Sequence, residues 1–372
     1  MFMALPENCK NRKFIVCDEA SELEDMLVDH NSVTFDFKVL GKIKSIDIPP
    51  TPKIGSTYDH YKLWLKSFKT EVYMAWDEMR SEIYGKRKKT TSKKDIIIFK
   101  VLGRLNDTCD RILSNMASME YIVEHDKGTL TFKPYKVDKL AQDMFDHGEF
   151  IVLMSATIID PTNFAKQLGI RPDEFEYIEA PSTFDPKKAP IYLSDEIGVT
   201  YANKAVTIPK LARVAKAICE AHGDQKGIIH THSMDITNDV RRTLGNSKRF
   251  LYREPGATNE MLIEEHTNSE GPTVLVSPSM SHGVDLKGKL GEFAIIMKAP
   301  FLPLGDKRVK RLCEEDKDWY MDKMLSNFIQ MCGRTIRSAK DTSKTYVLDA
   351  TLTRKLIEMK DRIPKYFLDR IP

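Results

Sequence analysis

Two stretches of the sequence hold residue types suited to chemistry on a phosphoanhydride. The apolar run 14–17 (Phe14, Ile15, Val16, Cys17) ends abruptly in Asp18 and Glu19. One carboxylate there can hold a hydrated Mg²⁺, and its neighbour can orient or deprotonate an attacking water. Acidic pairs also close strands in proteins that do no such chemistry, and helix N-termini attract them, so the pair alone leaves both readings open. The second stretch, QMCGRTIR over 330–337, is more informative. With helical spacing Arg334 and Arg337 share one face, and guanidinium groups supply fixed donors suited to a transferring γ-phosphate. Gly333 permits close backbone approach, and Gln330 can position water or bond a neighbouring group. A solvated basic helix is the plain alternative, against which stand the glutamine, the glycine and both arginines in register. A third stretch, Ser155-Ala156-Thr157, follows the apolar run 150–154. Its hydroxyls can bond acidic side chains on a neighbouring strand and so sense a metal site, or they can form an ordinary turn or N-cap.

The elements needed to position these residues can be read from the hydrophobic pattern. A short continuous apolar run such as 14–17 suits a parallel strand buried on both faces, with the acidic pair delivered at its C-terminal edge, where open α/β sheets place their ligands. From about 59 to 147 the character changes to long charged segments with helical spacing, including Tyr61, Leu63, Leu65, Phe68, Val72 and Trp76. The run GKRKKTTSKK over 85–94 predicts a solvated loop between helices, with a phosphate-tracking patch as the alternative. A hairpin is predicted over 121–132, turning at Asp126-Lys127-Gly128. Beyond 148, strand-like segments at 150–154, 189–193, 227–230, 273–276, 293–297 and 346–348 alternate with helical ones such as 208–221. Alternation of this kind predicts a parallel sheet with helices on its faces.

At 372 residues the chain is long enough for two or three compact units, each with its own core. A net charge of +3 permits a basic groove without announcing one. The six cysteines form no C-x-x-C pair and no ligand-like cluster with histidine, which favours free thiols in a reducing compartment over disulfides. No apolar run approaches the roughly 20 residues of a membrane span. The expectation is a cytoplasmic protein that does not enter the membrane.

The order DEAS (18–21), SAT (155–157), GVD (283–285) and QMCGRTIR resembles motifs II, III, V and VI of superfamily 2 helicases. Flanking segments narrow the likeness to the DinG/XPD branch. These are GTLTFKPYKV at 128–137, Phe164 with Leu168-Gly169 after the SAT strand, APSTFD at 180–185, MSHGVD at 280–285 and KAPFLP at 298–303. The resemblance spans nearly the whole chain and is weakest over 31–115. It implies RecA-like parallel sheets of the P-loop NTPase type: a partial first lobe (1–30 and 148–185), a mainly helical, Arch-like insertion (31–147) and a complete second lobe (186–372).

Residue by residue, the resemblance implies that Asp18 holds Mg²⁺ through ATP and Glu19 activates water. Arg334 and Arg337 face the γ-phosphate beside Gln330 and Gly333. Ser155, Ala156 and Thr157 couple the lobes, and Gly283 and Asp285 link nucleotide state to the strand-binding surface. The stretch 228–233 looks like motif IV, which assigns Thr231 and Ser233 to backbone phosphates. The implied cofactors are ATP and Mg²⁺, and the implied partner is single-stranded DNA or a forked duplex, unwound with 5′ to 3′ polarity. An iron–sulfur cluster is not supported within this chain, Cys9 and Cys17 lying too near the acidic pair to be its ligands.

The sequence departs from the family in three places. It contains no GxxxxGK[ST], the loop that cradles the β- and γ-phosphates. Hydrolysis is therefore expected to need a further polypeptide segment carrying that loop; a non-catalytic fragment or subunit that binds nucleic acid or a partner is the alternative. Ser21 stands where the family has a histidine, and Asp349 is followed by Ala350-Thr351 where an arginine is usual.

Overall fold

The structure is a computed structural model that describes residues 11–85, 92–254, 256–278 and 285–372. The chain divides into two compact units: Met1–Ser155 with Thr162–Phe175 and Leu304–Arg311, and Ala156–Pro161 with Glu176–Pro303 and Leu312–Pro372. Gly283 and the loop residues 86–91 lie outside the described residues.

The first unit runs β1 (Arg12–Cys17), α1 (Leu23–Asn31), β2 (Val33–Asp36), α2 (Phe37–Leu40), α3 (Tyr58–Tyr84), α4 (Lys93–Asn115), β3 (Tyr121–Asp126), β4 (Thr129–Pro134), α5 (Asp138–Phe145), β5 (Gly148–Leu153) and α6 (Pro161–Gln167). β1 and β5 pair in parallel, with Phe14 opposite Phe150 and Val16 opposite Val152. One face of this pair, through Cys17, Ile151 and Leu153, packs on Leu23, Leu27, Leu140 and Met144 from the helices and on Leu168 just after α6. The other face is bare: Phe14, Val16 and Phe150 are each more than half exposed, and the two phenyl rings stack at 5.3 Å. A strand buried on both faces was expected here. Burial is met on one side only, because no described layer of this unit covers the second face.

The intervening block builds its own core. Tyr61, Leu65, Phe68, Val72 and Ala75 recur at the three- and four-residue steps of one α3 face and are buried, whereas Leu63 is 62% exposed because it falls off that stripe. They meet Leu102, Cys109 and Ile112 of α4 and the aromatic face of an antiparallel sheet ordered β2-β4-β3. Trp64 stacks on Phe68 at 5.1 Å, and Phe35 meets both rings edge-on. The predicted hairpin is present as β3 and β4. A third strand, β2, pairs with β4 about a hundred residues away, and the block as a whole is mainly helical, as expected. Ser92 and Asp95 form a capping box that starts α4, so Lys93 and Lys94 are helical rather than part of the loop.

The segment Leu304–Arg311 belongs to this unit through polar ties. Asp306 accepts from Lys133 Nζ at 2.6 Å and from the backbone N–H groups of Arg308 and Val309. Arg308 is buried and donates to the carbonyls of Pro134 and Tyr135 and, at 2.6 Å, to the carboxylate of Glu24.

The second unit contains β6 (Ile191–Leu193), α7 (Lys204–Ala221), β7 (Gly227–His230), α8 (Met234–Leu244), β8 (Phe250–Tyr252), α9 (Asn259–Asn268), β9 (Val274–Ser277), β10 (Phe293–Ile296), α10 (Lys307–Glu315, begun in the first unit), α11 (Lys317–Gly333), β11 (Lys344–Val347), α12 (Ala350–Glu358) and α13 (Lys365–Leu368). Its six strands form one parallel sheet, ordered β6-β11-β10-β7-β9-β8. Every residue of β7, β9 and β10 is buried, the pattern of strands covered on both faces. Ile229, Val274, Val276 and Ile295 face α7 and α8. Ile191, Ile296 and Val347 face α11 and α12. A fully buried side chain of this size contributes roughly 1.5–3 kcal/mol, so the sheet is a rigid platform for the loops at its edge.

Candidate functional site

At the C-terminal end of β1, Cys17 and Ala20 tie the chain to Met154 by backbone hydrogen bonds of 2.8 Å each. Between these ties Asp18 and Glu19 are exposed, and Glu19 takes a left-handed backbone (φ 50°) held by its N–H donating to Asp18 Oδ1 at 2.9 Å. Non-glycine residues adopt that conformation at a cost and concentrate at functional turns. Among the described residues no group of three or more His, Cys, Asp or Glu side chains forms a metal cage. A two-carboxylate edge suits Mg²⁺, which keeps most of its waters and takes its other ligands from phosphate. Ser21 is engaged by Ser155, whose hydroxyl donates to it at 2.8 Å.

The rest of the predicted site lies in the second unit. The Ala156 carbonyl accepts from Tyr366 at 2.8 Å, and Thr157 is buried, its hydroxyl accepting from Gln330 Nε2 at 3.3 Å. Gln330 thus bonds the SAT segment. Its helix, α11, is capped at the start by Asp316 and buries Trp319, Leu325, Phe328 and Cys332. It ends at Gly333, with Arg334 as its C-cap, so Arg337 lies beyond it in a loop. The two arginines are expected on one helix face; the helix stops four residues short of Arg337. A Cβ placed on Gly333 would meet nothing within 4 Å, so its surroundings are open. Arg337 Nε pairs with Asp285, which joins the last residue of the GVD segment to the second arginine. Thr231 is wholly buried with its hydroxyl 2.5 Å from that of Thr237, whereas Ser233 sits at the start of α8 and accepts from Ile236 N–H.

Two histidines beside these residues escaped the sequence reading, since nothing in their spacing suggests a site. His230, at the end of β7, is buried, and its Nε2 has no hydrogen-bond partner among the described residues. Burial, reinforced by the charge of Arg334, lowers its pKa to about 4. His232 adopts a left-handed backbone (φ 71°), and burial with the charge of Lys298 lowers its pKa likewise to about 4. Both rings are therefore neutral at neutral pH and add no charge beside the arginines. Among the described residues no helix is long and apolar enough to cross a membrane.

The helicase C-terminal domain family matches residues 216–369. No curated protein sequence matches the chain. Among solved structures, an XPD helicase superposes with a TM-score of 0.59 at 16% identity, covering 93% of this chain and 67% of its own. An apo XPD structure gives a TM-score of 0.60 at 16% identity, with 93% and 75% covered. Xpd4 from S. tokodaii gives 0.55 at 16% identity, with 95% and 74% covered. Residues 216–369 match the helicase C-terminal domain family, and the chain has the fold of the XPD structures.

Proposed function

We propose that this chain is the motor portion of an ATP-driven, cytoplasmic translocase that moves on single-stranded DNA and opens forked duplexes. The observation that carries the reading is the convergence, within the second unit, of two distant segments on the stretch 330–337. Thr157 bonds Gln330, and Asp285 pairs with Arg337. A structural helix end has no need of both; a nucleotide-sensing loop does. In this reading Asp18 holds the metal and Glu19 orients the attacking water, while Arg334 and Arg337 act on charge developing at the γ-phosphate. Mg²⁺ bound with ATP would supply charge neutralisation at the phosphate oxygens. Ser155 and Thr157, two residues apart, bond Ser21 beside the acidic pair and Gln330 beside the arginines, which supports a coupling role for the SAT segment. Ser233 and the start of α8 are the proposed contact for the nucleic-acid backbone, with buried Thr231 shaping that loop.

The absence of GxxxxGK[ST] favours a second reading for the chain by itself, that of a binding subunit without turnover. Phosphoryl transfer is chiefly positioning and electrostatics, so a triphosphate whose β- and γ-phosphates are not cradled gives the arginines nothing aligned to act on. A polypeptide carrying the cradle would complete the site, and the bare face of β1 and β5 offers it an apolar surface. ATPase assay of the purified chain, with and without such a segment and with Glu19→Gln as control, tests both readings. The expected result is no turnover alone and DNA-stimulated, Glu19-dependent turnover with the segment. Glu19-dependent hydrolysis by the chain alone would overturn the assignment of the missing cradle.

A further inference from the structure

Resting on the reading of Arg337 as a γ-phosphate arginine, we propose that Asp341 is a positioning residue, whose carboxylate fastens the arginine loop to the segment that follows Asp285. Asp341 is 8% exposed. Its Oδ2 accepts the backbone N–H groups of Arg337 and Ser338 at 2.8 and 2.7 Å. Its Oδ1 accepts the N–H of Gly288 at 3.1 Å, from a residue 53 positions away in the sequence. An aspartate that only shaped its own turn would be satisfied by Oδ2 and by its own N–H donating to Ser338 at 3.0 Å. The second oxygen instead spans to the other segment.

Two further contacts run along the same seam. Leu286 N–H donates to the Arg334 carbonyl at 3.1 Å. A Cβ on Gly291 would lie 2.6 Å from the Leu286 carbonyl and 2.8 Å from Thr335 Cγ2, so the segments meet too closely for a side chain there. The Asp285–Arg337 ion pair sits at the open end of this seam. Burial alone would raise the Asp341 pKa; the donors at Arg337, Ser338 and Gly288 outweigh it and hold the carboxyl below its ordinary range. The ionised form is the one that three N–H donors require. Arg337 lies outside any helix, so its backbone depends on this carboxylate for a fixed position.

Asparagine at 341 cannot accept on both sides, because its amide nitrogen would face an N–H donor. Asp341→Asn in the full chain should therefore speed amide hydrogen exchange across 285–291 and 334–341 by about 10-fold or more, with β7 and β10 unchanged. Should that variant fail to fold, Asp341→Ser keeps an acceptor for the local turn but cannot span to Gly288, and loosening confined to 285–291 is the expected result. Unchanged exchange in these segments, or loosening spread equally over β7 and β10, overturns the proposal. With the phosphate-loop segment added, Asp341→Asn should lower kcat by about 10-fold with KM little altered, and add nothing further to Arg337→Ala. Multiplicative losses would mean that Asp341 does not act through Arg337. If Arg337→Ala itself leaves turnover intact, the nucleotide reading fails, and the exchange data still decide whether Asp341 is the clasp.

Discussion

Removing the guanidinium of Arg308 should destabilise the first unit more than the loss of an ordinary surface charge. Arg308 and Glu24 have side chains only 5% and 6% exposed, and they meet at 2.6 Å. Arg308 Nε also serves the carbonyls of Pro134 and Tyr135 at 3.1 and 2.9 Å. Arg308→Met takes the cation from a buried carboxylate and a donor from two carbonyls, and removing one partner of a buried pair costs about 3–5 kcal/mol. Arg308→Lys keeps the charge without the fork that reaches all three acceptors, and about half that loss is expected. Glu24→Gln retains an acceptor and should cost about 1–2 kcal/mol. Replacing both partners, in Glu24→Leu with Arg308→Met, should recover much of the loss, because well-packed apolar residues often match a buried pair. Urea unfolding read by fluorescence in a Trp319→Phe background would follow Trp64 and Trp76 of the first unit. An Arg308→Met variant within about 1 kcal/mol of wild type would refute the argument, as would a double variant that shows the plain sum of the single losses.

Acid should loosen the second unit before it reaches carboxylate titration. His230 and His232 have folded pKa values of about 4 against an ordinary 6.5, so the unfolded chain takes up protons first. Stability is then full above about 6.5 and falls as pH drops toward 4, by about 3 kcal/mol for a wholly buried ring. Urea midpoints measured between pH 7.5 and 4.5 should show the slope, and His230→Gln should flatten it. Binding of single-stranded DNA should weaken steeply with salt and depend little on base sequence, since backbone phosphates supply most of the contacts; titrations of oligonucleotides of differing sequence at two salt concentrations check this, and a salt-independent or strongly sequence-selective affinity would oppose the translocase reading.

The second unit was readable because a doubly covered parallel sheet writes itself as continuous apolar runs. The runs at 227–230 and 293–297 fall directly on β7 and β10. The run 14–17 has the same composition, yet Phe14 and Val16 face outward, since a short apolar string records that a strand exists and not how many of its faces are covered. β8 (Phe250–Tyr252) is only three residues long, too short to show a period, and β2 depends on pairing with Thr129–Phe132 far along the chain. Neither is a local property.

The same distinction separates the parts of the site. Gln330 and Arg337 could be picked out because residue type and spacing lie within eight consecutive positions. Spacing also misled there: i and i+3 imply one helix face only while the helix continues, and α11 ends at Gly333. What fixes Arg337 in its absence is Asp341, and the sequence around it, Ser338-Ala339-Lys340-Asp341, reads as an ordinary polar turn. Its importance comes from Gly288, whose N–H meets the outer carboxylate oxygen at 3.1 Å and whose own place is set by the chain leaving Asp285. A residue that holds a catalytic side chain through a backbone amide leaves no motif at the position it acts on, because every residue except proline offers the same N–H. Such residues become visible only once the hydrogen bonds of a buried carboxylate are accounted for one by one, and in this loop that accounting points to Asp341.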